Sequence, residues 1–512
     1  PAVTAVFVTV VVALYCVLAG CVPPALRAGA MGLLAFFAIA MEHESDARRL
    51  LALVGMALLF FEPLLAFDIS FQLSFAATAG LLYLAPPFAA WLSHLRFLSR
   101  FVALSLAVTL GAQLATLPLL AWYFHRLSLS SLVANIVVVP VVELVIVAGL
   151  FAGLVSFALP FLAKLIFLAD SLLLGLVYES TRLLAKVPGG EVYLPTLSVP
   201  LSLAYFAALA VFAQPEERRS DVFAWCRERR RTLFAALCIA VLAAALWQIS
   251  RPQEMAVHFI DVGQGDAALV VTPHGRALMI DTGGTRDGAY DIGARVDVPY
   301  LHHYGVRRLD YIILTHAHED HAGGAGGIVR RLPVGMVLTA HEPRTEYARV
   351  LGFSLAAPEM QHMAPAEAGE HIELDGVAID ILYAPQEVSA DGSGNEYSNV
   401  IRVRYGAASF LFTGDLIAAQ EKAMLDEGKE PRCTVLKVAH HGSKTSTTEA
   451  FLAAAAPRFA VISVGRDNTF GHPAAEVVER LQNAGAKIYR TDEDGAVVFR
   501  TDGKKMRVET FR

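Results

Sequence analysis

Residues 315–324, Thr-His-Ala-His-Glu-Asp-His-Ala-Gly-Gly, concentrate the chemistry of this sequence. His316, His318, Asp320 and His321 fall close enough together for one turn to aim several lone pairs at a cation. Imidazole nitrogens suit Zn²⁺, and the carboxylate keeps Mn²⁺ or Fe²⁺ open. The bland alternative is a solvated histidine-rich turn. What precedes it argues otherwise. Residues 309–314, Leu-Asp-Tyr-Ile-Ile-Leu, have the length and composition of a buried strand. Ligands in a turn at the end of such a strand point to metal chemistry.

The pattern recurs. Residues 255–261, 267–272 and 277–281 read as strands, separated by Gly263-Gln264-Gly265-Asp266 and followed by Thr282-Gly283-Gly284. Gly-Gln-Gly alone is as often a hairpin as a phosphate cradle. Residues 409–413 lead into Gly414-Asp415, and 434–439 into His440-His441-Gly442-Ser443. Residues 459–464 lead to Gly465, Asn468, Gly471 and His472. Each time an apolar strand ends and a His or Asp follows in a glycine-bearing turn, where rigid scaffolds place chemistry.

These elements occupy only half of the chain. At 512 residues with 55% hydrophobic content and a mean hydropathy of +0.49, the sequence is too apolar for an ordinary soluble protein. Its net charge of −6 hides a division near residue 250, with the acidic excess on the C-terminal side. Residues 1–250 read as a polytopic membrane domain and 251–512 as a soluble one. Runs at 1–22, 101–124 and 232–249 approach the roughly 20 residues of a spanning helix. Runs at 29–41, 48–66, 69–90, 129–158, 160–178 and 195–213 are broken by Pro, Gly or single polar residues. About seven to nine spans or re-entrant pieces are expected. Within them sit Glu62, Asp68, Gln72, Gln113, Asn135, Glu143 and Asp170. Such groups either tie helices together or face a wet path. Their number favours a polar passage, and Pro140 between Asn135 and Glu143 suggests a broken helix.

Arg218, Arg219, Arg227, Arg229, Arg230 and Arg231 lie between two apolar runs. The positive-inside rule puts that segment in the cytoplasm and the acidic domain on the opposite face. The cysteines lack metal-ligand spacing, and Cys433 is alone in the soluble part. The start at Pro1, without a basic n-region or cleavage site, suggests the C-terminal portion of a longer protein rather than a signal peptide.

Over roughly residues 254–510, Asp281-Thr-Gly, His316-x-His318-x-Asp320-His321, Thr413-Gly-Asp415 and a late His resemble the metallo-β-lactamase superfamily. Asp261-Val-Gly-Gln-Gly-Asp266 and Leu436-Lys-Val-Ala-His-His-Gly-Ser443 resemble the soluble domain of ComEC-family DNA-uptake channels. Phe67-Asp-Ile-Ser-Phe-Gln-Leu-Ser-Phe75, and Leu117-Pro-Leu-Leu with Asn135 and Pro140, resemble that family's competence domain. The family also carries an N-terminal extramembrane domain and earlier helices, which this sequence lacks.

The resemblance implies a polytopic α-helical membrane domain followed by an α/β metallo-β-lactamase-like αββα sandwich. It implies a divalent metal centre, two ions of Zn or Mn. His316 and His318 match one position, Asp320 and His321 a second, and Asp415 the bridging carboxylate. Superfamily members usually supply another His before the Gly-Asp. Here the region reads Asn395-Glu-Tyr-Ser-Asn399, leaving the first position to Asn395 or a water. The closing ligand is His441 or His472, with His472 preferred and His441 then near the substrate. Asp320 would also orient the attacking water or accept its proton. Lys437, Lys444, His440 and Ser443 are candidates to contact a phosphate, and Arg402, Arg404, Arg466 and Arg490 to form basic strips.

The expected function is import of single-stranded DNA, with metal-dependent hydrolysis of the other strand by the C-terminal domain. Gln72, Gln113, Asn135 and Glu143 would line or gate the passage. The expected surroundings are the cytoplasmic membrane, with DNA, lipid and other uptake proteins as partners. The alternatives are a conduit whose domain guides DNA without cutting it, and a membrane-anchored small-molecule hydrolase.

Overall fold

The computed structural model describes the chain apart from residues 1, 21, 41–45, 96, 188, 195, 233, 237, 240–241, 244–252, 286–289 and 387–393. It divides into two units, Pro1–Ile239 and Ala240–Arg512.

Among the described residues of the first unit, four helices are long and apolar enough to cross a membrane: Ile69–Ser93, Arg100–Tyr123, Ser131–Ser156 and Pro160–Leu184. Ala2–Leu18, Pro23–Ala40, Ala47–Phe61 and Val199–Phe212 form shorter helices. Fewer full-length spans therefore stand among the described residues than the apolar runs suggest. The expected span at 232–249 lies largely outside them. Asp68 caps the first long helix, its Oδ1 accepting from the Phe71 N–H at 2.7 Å. That helix passes through a wide π-type turn, Gly80–Leu84, just before Pro86 and Pro87. Proline removes backbone donors, and a widened turn absorbs the mismatch. At this turn Gly80 and Gly111 bring two helix backbones into contact. A Cβ on Gly111 would sit 2.8 Å from the Gly80 carbonyl oxygen. Pro140 lies inside the continuous Ser131–Ser156 helix, so the expected break does not occur. A short antiparallel ribbon pairs β1 (Arg126–Ser128) with β2 (Glu191–Tyr193).

The second unit is a two-sheet sandwich. In chain order its strands are β3 (Met255–Phe259), β4 (Ala267–Val271), β5 (Ala277–Thr282), β6 (Leu309–Ile313), β7 (Val334–Thr339) and β8 (Met363–Pro365). Then come β9 (His371–Leu374), β10 (Val377–Tyr383), β11 (Val400–Tyr405), β12 (Ala408–Phe412) and β13 (Val435–Lys437). The last are β14 (Phe459–Ile462), β15 (Lys487–Arg490), β16 (Ala496–Thr501) and β17 (Met506–Phe511). One sheet runs β17-β16-β3-β4-β5-β6-β7-β8 and the other β15-β14-β13-β12-β11-β10-β9. Between them Phe259, Val270, Ile280 and Phe499 pack against Ile379, Val403, Phe410 and Phe412 in one dry core. Outside the second sheet, helices Ala418–Asp426, Glu449–Ala455 and Ala475–Asn483 contribute Met424, Phe451 and Leu481 to a separate core.

Direction matters more here than layer count. β5 to β8 are parallel, and so are β12 to β15. Parallel strands send their C-terminal ends to one edge of their sheet. The turns after β5, β6, β12, β13 and β14 are those in which His and Asp recur.

Candidate metal centre

β6 is buried, and the chain leaves it through Thr315, His316 and Ala317, which are also buried. His318 opens the turn Glu319–Ala322 with extended backbone, so the next residues curl back over the strand end. The turn fits because glycines lie against it. A Cβ on Gly265 would sit 2.5 Å from the Asp320 carbonyl oxygen, and the Asp266 N–H donates to that oxygen at 3.0 Å. Gly-Gln-Gly is thus a seat for the histidine turn.

Asp281, at the end of β5, fixes the orientation of the turn. Its Oδ1 accepts from the Thr315 N–H and its Oδ2 from the Thr315 hydroxyl, both at 2.7 Å. Oδ2 also lies 2.9 Å from His321 Nδ1. With Nδ1 held there, His321 turns Nε2 toward Asp415, 3.1 Å from Oδ1. His441 is set in the same way. Its Nδ1 is 2.9 Å from the Ser463 carbonyl oxygen, and its Nε2 is 3.4 Å from Asp320 Oδ2 and 3.7 Å from Asp415 Oδ1. An anchored Nδ1 with an inward Nε2 is how carboxylates and carbonyls present histidine to a metal. Asp415 follows β12 through Gly414, which has φ of +50° and leaves no room for a side chain beside Thr315.

Two ligand groups result. His316, His318 and Asp415 can converge on one point, and Asp320, His321 and His441 on another. Asp266 joins His441 and Asp415 in a third grouping. His316 Nε2, His321 Nε2, His441 Nε2 and Asp415 Oδ1 are buried without a hydrogen-bond partner. Buried polar atoms left this way are costly. Orphaned imidazole and carboxylate atoms facing one another are the donor set that a divalent cation satisfies. The residues present fit such ions.

The charges agree. Burial would strip the proton from His441, but Asp415 and Asp266 hold it there and raise its pKa to about 10. Burial likewise opposes protonation of His321, yet Asp415, Asp266 and Asp281 drive its pKa well above the usual value. The carboxyl of Asp415 stays well below its usual range despite burial, because His321 and His441 face it. In the metal-free fold two imidazoliums thus stand where cations would.

Four expectations need correction. His472 is not in any ligand group; it forms a cavity wall, its ring 5.8 Å from that of His440 and stacked on Phe470 at 5.9 Å. The geometry thus favours His441 over His472 as the candidate closing ligand. Lys437 is buried and ion-paired with Asp266, beneath the centre rather than facing a phosphate. A lysine between Leu436 and Val438 in a buried parallel strand was the available signal. Ser443 is also buried, its hydroxyl 3.0 Å from that of Thr445. Arg402 and Arg404 pair with Asp380, and Arg490 with Asp492 and Glu493, so these do not form a free basic strip. Lys444 and Arg466 are exposed. The roles of Asp266 and Asp281 in holding ligands were missed, although Asp266 follows Gly265 just before β4 and Asp281 lies at the end of β5, two residues before Gly283.

Above the ligands opens a cavity of about 350 Å³, lined by His318, Asp320, Asn395, Asp415, His440 and His472 among others. Burial lowers the pKa of His440, which leaves its imidazole neutral. Its Nε2 is 3.6 Å from Asp415 Oδ2.

In the first unit, Gln113, Asn135 and Glu143 line one cavity of about 580 Å³, whose walls are largely apolar, among them Leu81, Phe101 and Leu104. Gln113 Nε2 donates to the Ser128 carbonyl oxygen at 2.8 Å and to Ser131 Oγ. Gln72 is not part of that lining. Its Nε2 donates to the Ala66 carbonyl oxygen at 2.8 Å, and its Oε1 accepts from Tyr123 Oη at 3.0 Å. It ties helices together, the alternative weighed for such residues.

Residues 1–219 match the competence protein family and residues 260–466 the metallo-beta-lactamase superfamily. The chain is 28% identical to ComE operon protein 3 of Bacillus subtilis, over 97% of this chain and 63% of that protein. It is 35% identical to competence protein ComA of Neisseria gonorrhoeae, over 51% of this chain and 35% of that one. Identity to recombination protein 2 of Haemophilus influenzae is 34%, over 51% and 30%. The chain thus spans less than two thirds of the length of these relatives.

Proposed function

We propose that this chain, a ComEC-family protein with a competence domain followed by a metallo-β-lactamase domain, passes single-stranded DNA through its membrane domain and hydrolyses the other strand in its C-terminal domain. The observation that carries the hydrolytic half is the convergence of His316, His318 and Asp415 beside Asp320, His321 and His441 beneath an open cavity. Divalent ions held there would supply Lewis acidity at a phosphodiester and an activated water. The chain's own groups do the rest. Asp320 reaches the cavity floor and is placed to orient the attacking water or take its proton. His440, neutral and half-buried, presents a ring to the substrate side. Lys437 neutralises Asp266 from below, so that the centre's charge is directed upward.

Gln113, Asn135 and Glu143, the polar side of an otherwise largely apolar cavity, support a route through the membrane domain. Polar groups turned toward lipid would be costly, and a water-filled path removes that cost. Glu143 would repel phosphate, which suits a gate better than a binding group. The arginines between 214 and 232 support a cytoplasmic position for that segment and an external one for the metal domain. In a cysteine-free background, a membrane-impermeant thiol reagent should reach Glu373→Cys in intact cells. Labelling at Arg230→Cys alone would reverse the orientation.

The chemistry is tested with the purified full chain in detergent and an end-labelled duplex. Cleavage should require Mn²⁺ or Zn²⁺, vanish with a chelator, and fall at least about 100-fold in Asp415→Ala and His441→Ala, since each removes a ligand. Undiminished cleavage by folded, metal-depleted variants would refute the assignment.

A further inference from the structure

The two metal positions are not equal. The one formed by Asp320, His321 and His441 adjoins Asp415 as well, giving it two carboxylates and two imidazoles. The other has His316, His318 and the shared Asp415. Asn395 stands beside this poorer position. It lines the same cavity as His318 and Asp415, is 7% exposed, and keeps its amide oxygen buried without a hydrogen-bond partner. An amide oxygen withdrawn from water and bonded to nothing is unfavourable. Its neighbourhood is held in place. The Ser398 N–H donates to the Asn395 carbonyl oxygen at 3.1 Å, and the Asn399 N–H to that of Thr315 at 2.9 Å. Gly394 has φ of +96°, and a Cβ there would lie 2.7 Å from His318 Nε2. The turn is thus pressed against the first ligand motif, where a side chain in place of the glycine would collide with the imidazole.

We infer that the Asn395 amide oxygen is the further protein ligand of the His316–His318–Asp415 position, which even with it is the weaker and harder of the two. The inference rests on the metal-dependent reading above. A carboxamide oxygen is neutral and hard. It narrows the advantage of Zn²⁺ over Mn²⁺ or Mg²⁺, which an imidazole nitrogen would widen. The position with fewer carboxylates also attracts a dication less. Loading is therefore stepwise: one ion is held firmly on the Asp320 side, and a second, at a position that discriminates less against Mn²⁺, completes the centre.

Metal titration of the full chain in detergent tests this, read by calorimetry and by counting bound ions in native mass spectrometry. Wild type should show two steps of unequal affinity. Asn395→Ala should leave the tight step unchanged and weaken the second at least tenfold. Asn395→His should strengthen the second step for Zn²⁺ and lower its Mn²⁺-to-Zn²⁺ affinity ratio about tenfold or more. Thermal unfolding of the metal-free variants checks that they fold, and the histidine variant decides the matter if the alanine one does not. Two unchanged steps in both variants would overturn the inference. Absence of any bound ion in wild type would overturn it together with the metal reading. Two normal steps without DNA cleavage would sustain it and remove only the nuclease.

Discussion

At the scale of single residues, the centre is a balance of buried charges. Asp266, Asp320 and Asp415 face Lys437, His321 and His441, and the two imidazoles keep protons that burial would otherwise remove. Because the folded pKa of His441 rises to about 10 from an ordinary 6.5, its contribution stabilises the metal-free fold fully below pH 6.5. That contribution is lost as pH climbs through about 10. Ions must displace the same protons. Calorimetry in two buffers of different ionisation enthalpy should therefore show proton release on metal binding at pH 7 to 8, and tighter binding as pH rises toward 10. Binding without proton release would contradict the charge balance. His316, His318, Asp320, His321 and Asp415 were legible as candidates because each lies in a turn that follows a buried strand. The choice between His441 and His472 was not legible. Both follow strands in glycine turns, and only the left-handed backbone of His440 and His441 turns the latter inward.

At the scale of elements, ligand placement is a consequence of strand direction. Apolar content marked β6, β12, β13 and β14, but hydropathy does not say that their ends share an edge. Parallel pairing does. The membrane domain was less legible, because a polar side chain in an apolar run has the same sequence signature whether it bonds a neighbouring helix or faces a path. Gln72 and Gln113 show the difference. Gln72 spends both ends of its amide on Ala66 and Tyr123, whereas Gln113 lines a cavity with Asn135 and Glu143. Gln72→Ala should thus cost about 1 kcal/mol or more of helix packing and lower the amount of chain in the membrane. Gln113→Ala and Asn135→Ala, which also lose bonds to Ser131 and Thr109, should reduce DNA uptake by more than any fall in their membrane abundance. Immunoblots of membrane fractions beside a transformation assay separate the two. Normal uptake in both cavity variants at normal abundance would remove the route.

At the scale of the whole molecule, the apolar first half and the acidic second half were evident from composition, while the sandwich in the second half was legible only through its resemblance to the metallo-β-lactamase superfamily. The central claim is that one chain admits one strand of a duplex and destroys the other. The direct measurement supplies transformable cells with a duplex carrying a different label on each strand, and follows both labels inside and outside the cell. With the wild-type chain, one label should enter in long strands while the other appears outside as short fragments. With Asp415→Ala, at equal membrane abundance, fragments should disappear and entry should fall with them. Full entry of one strand without any fragments from the other would show a conduit that does not cut, and would contradict the account.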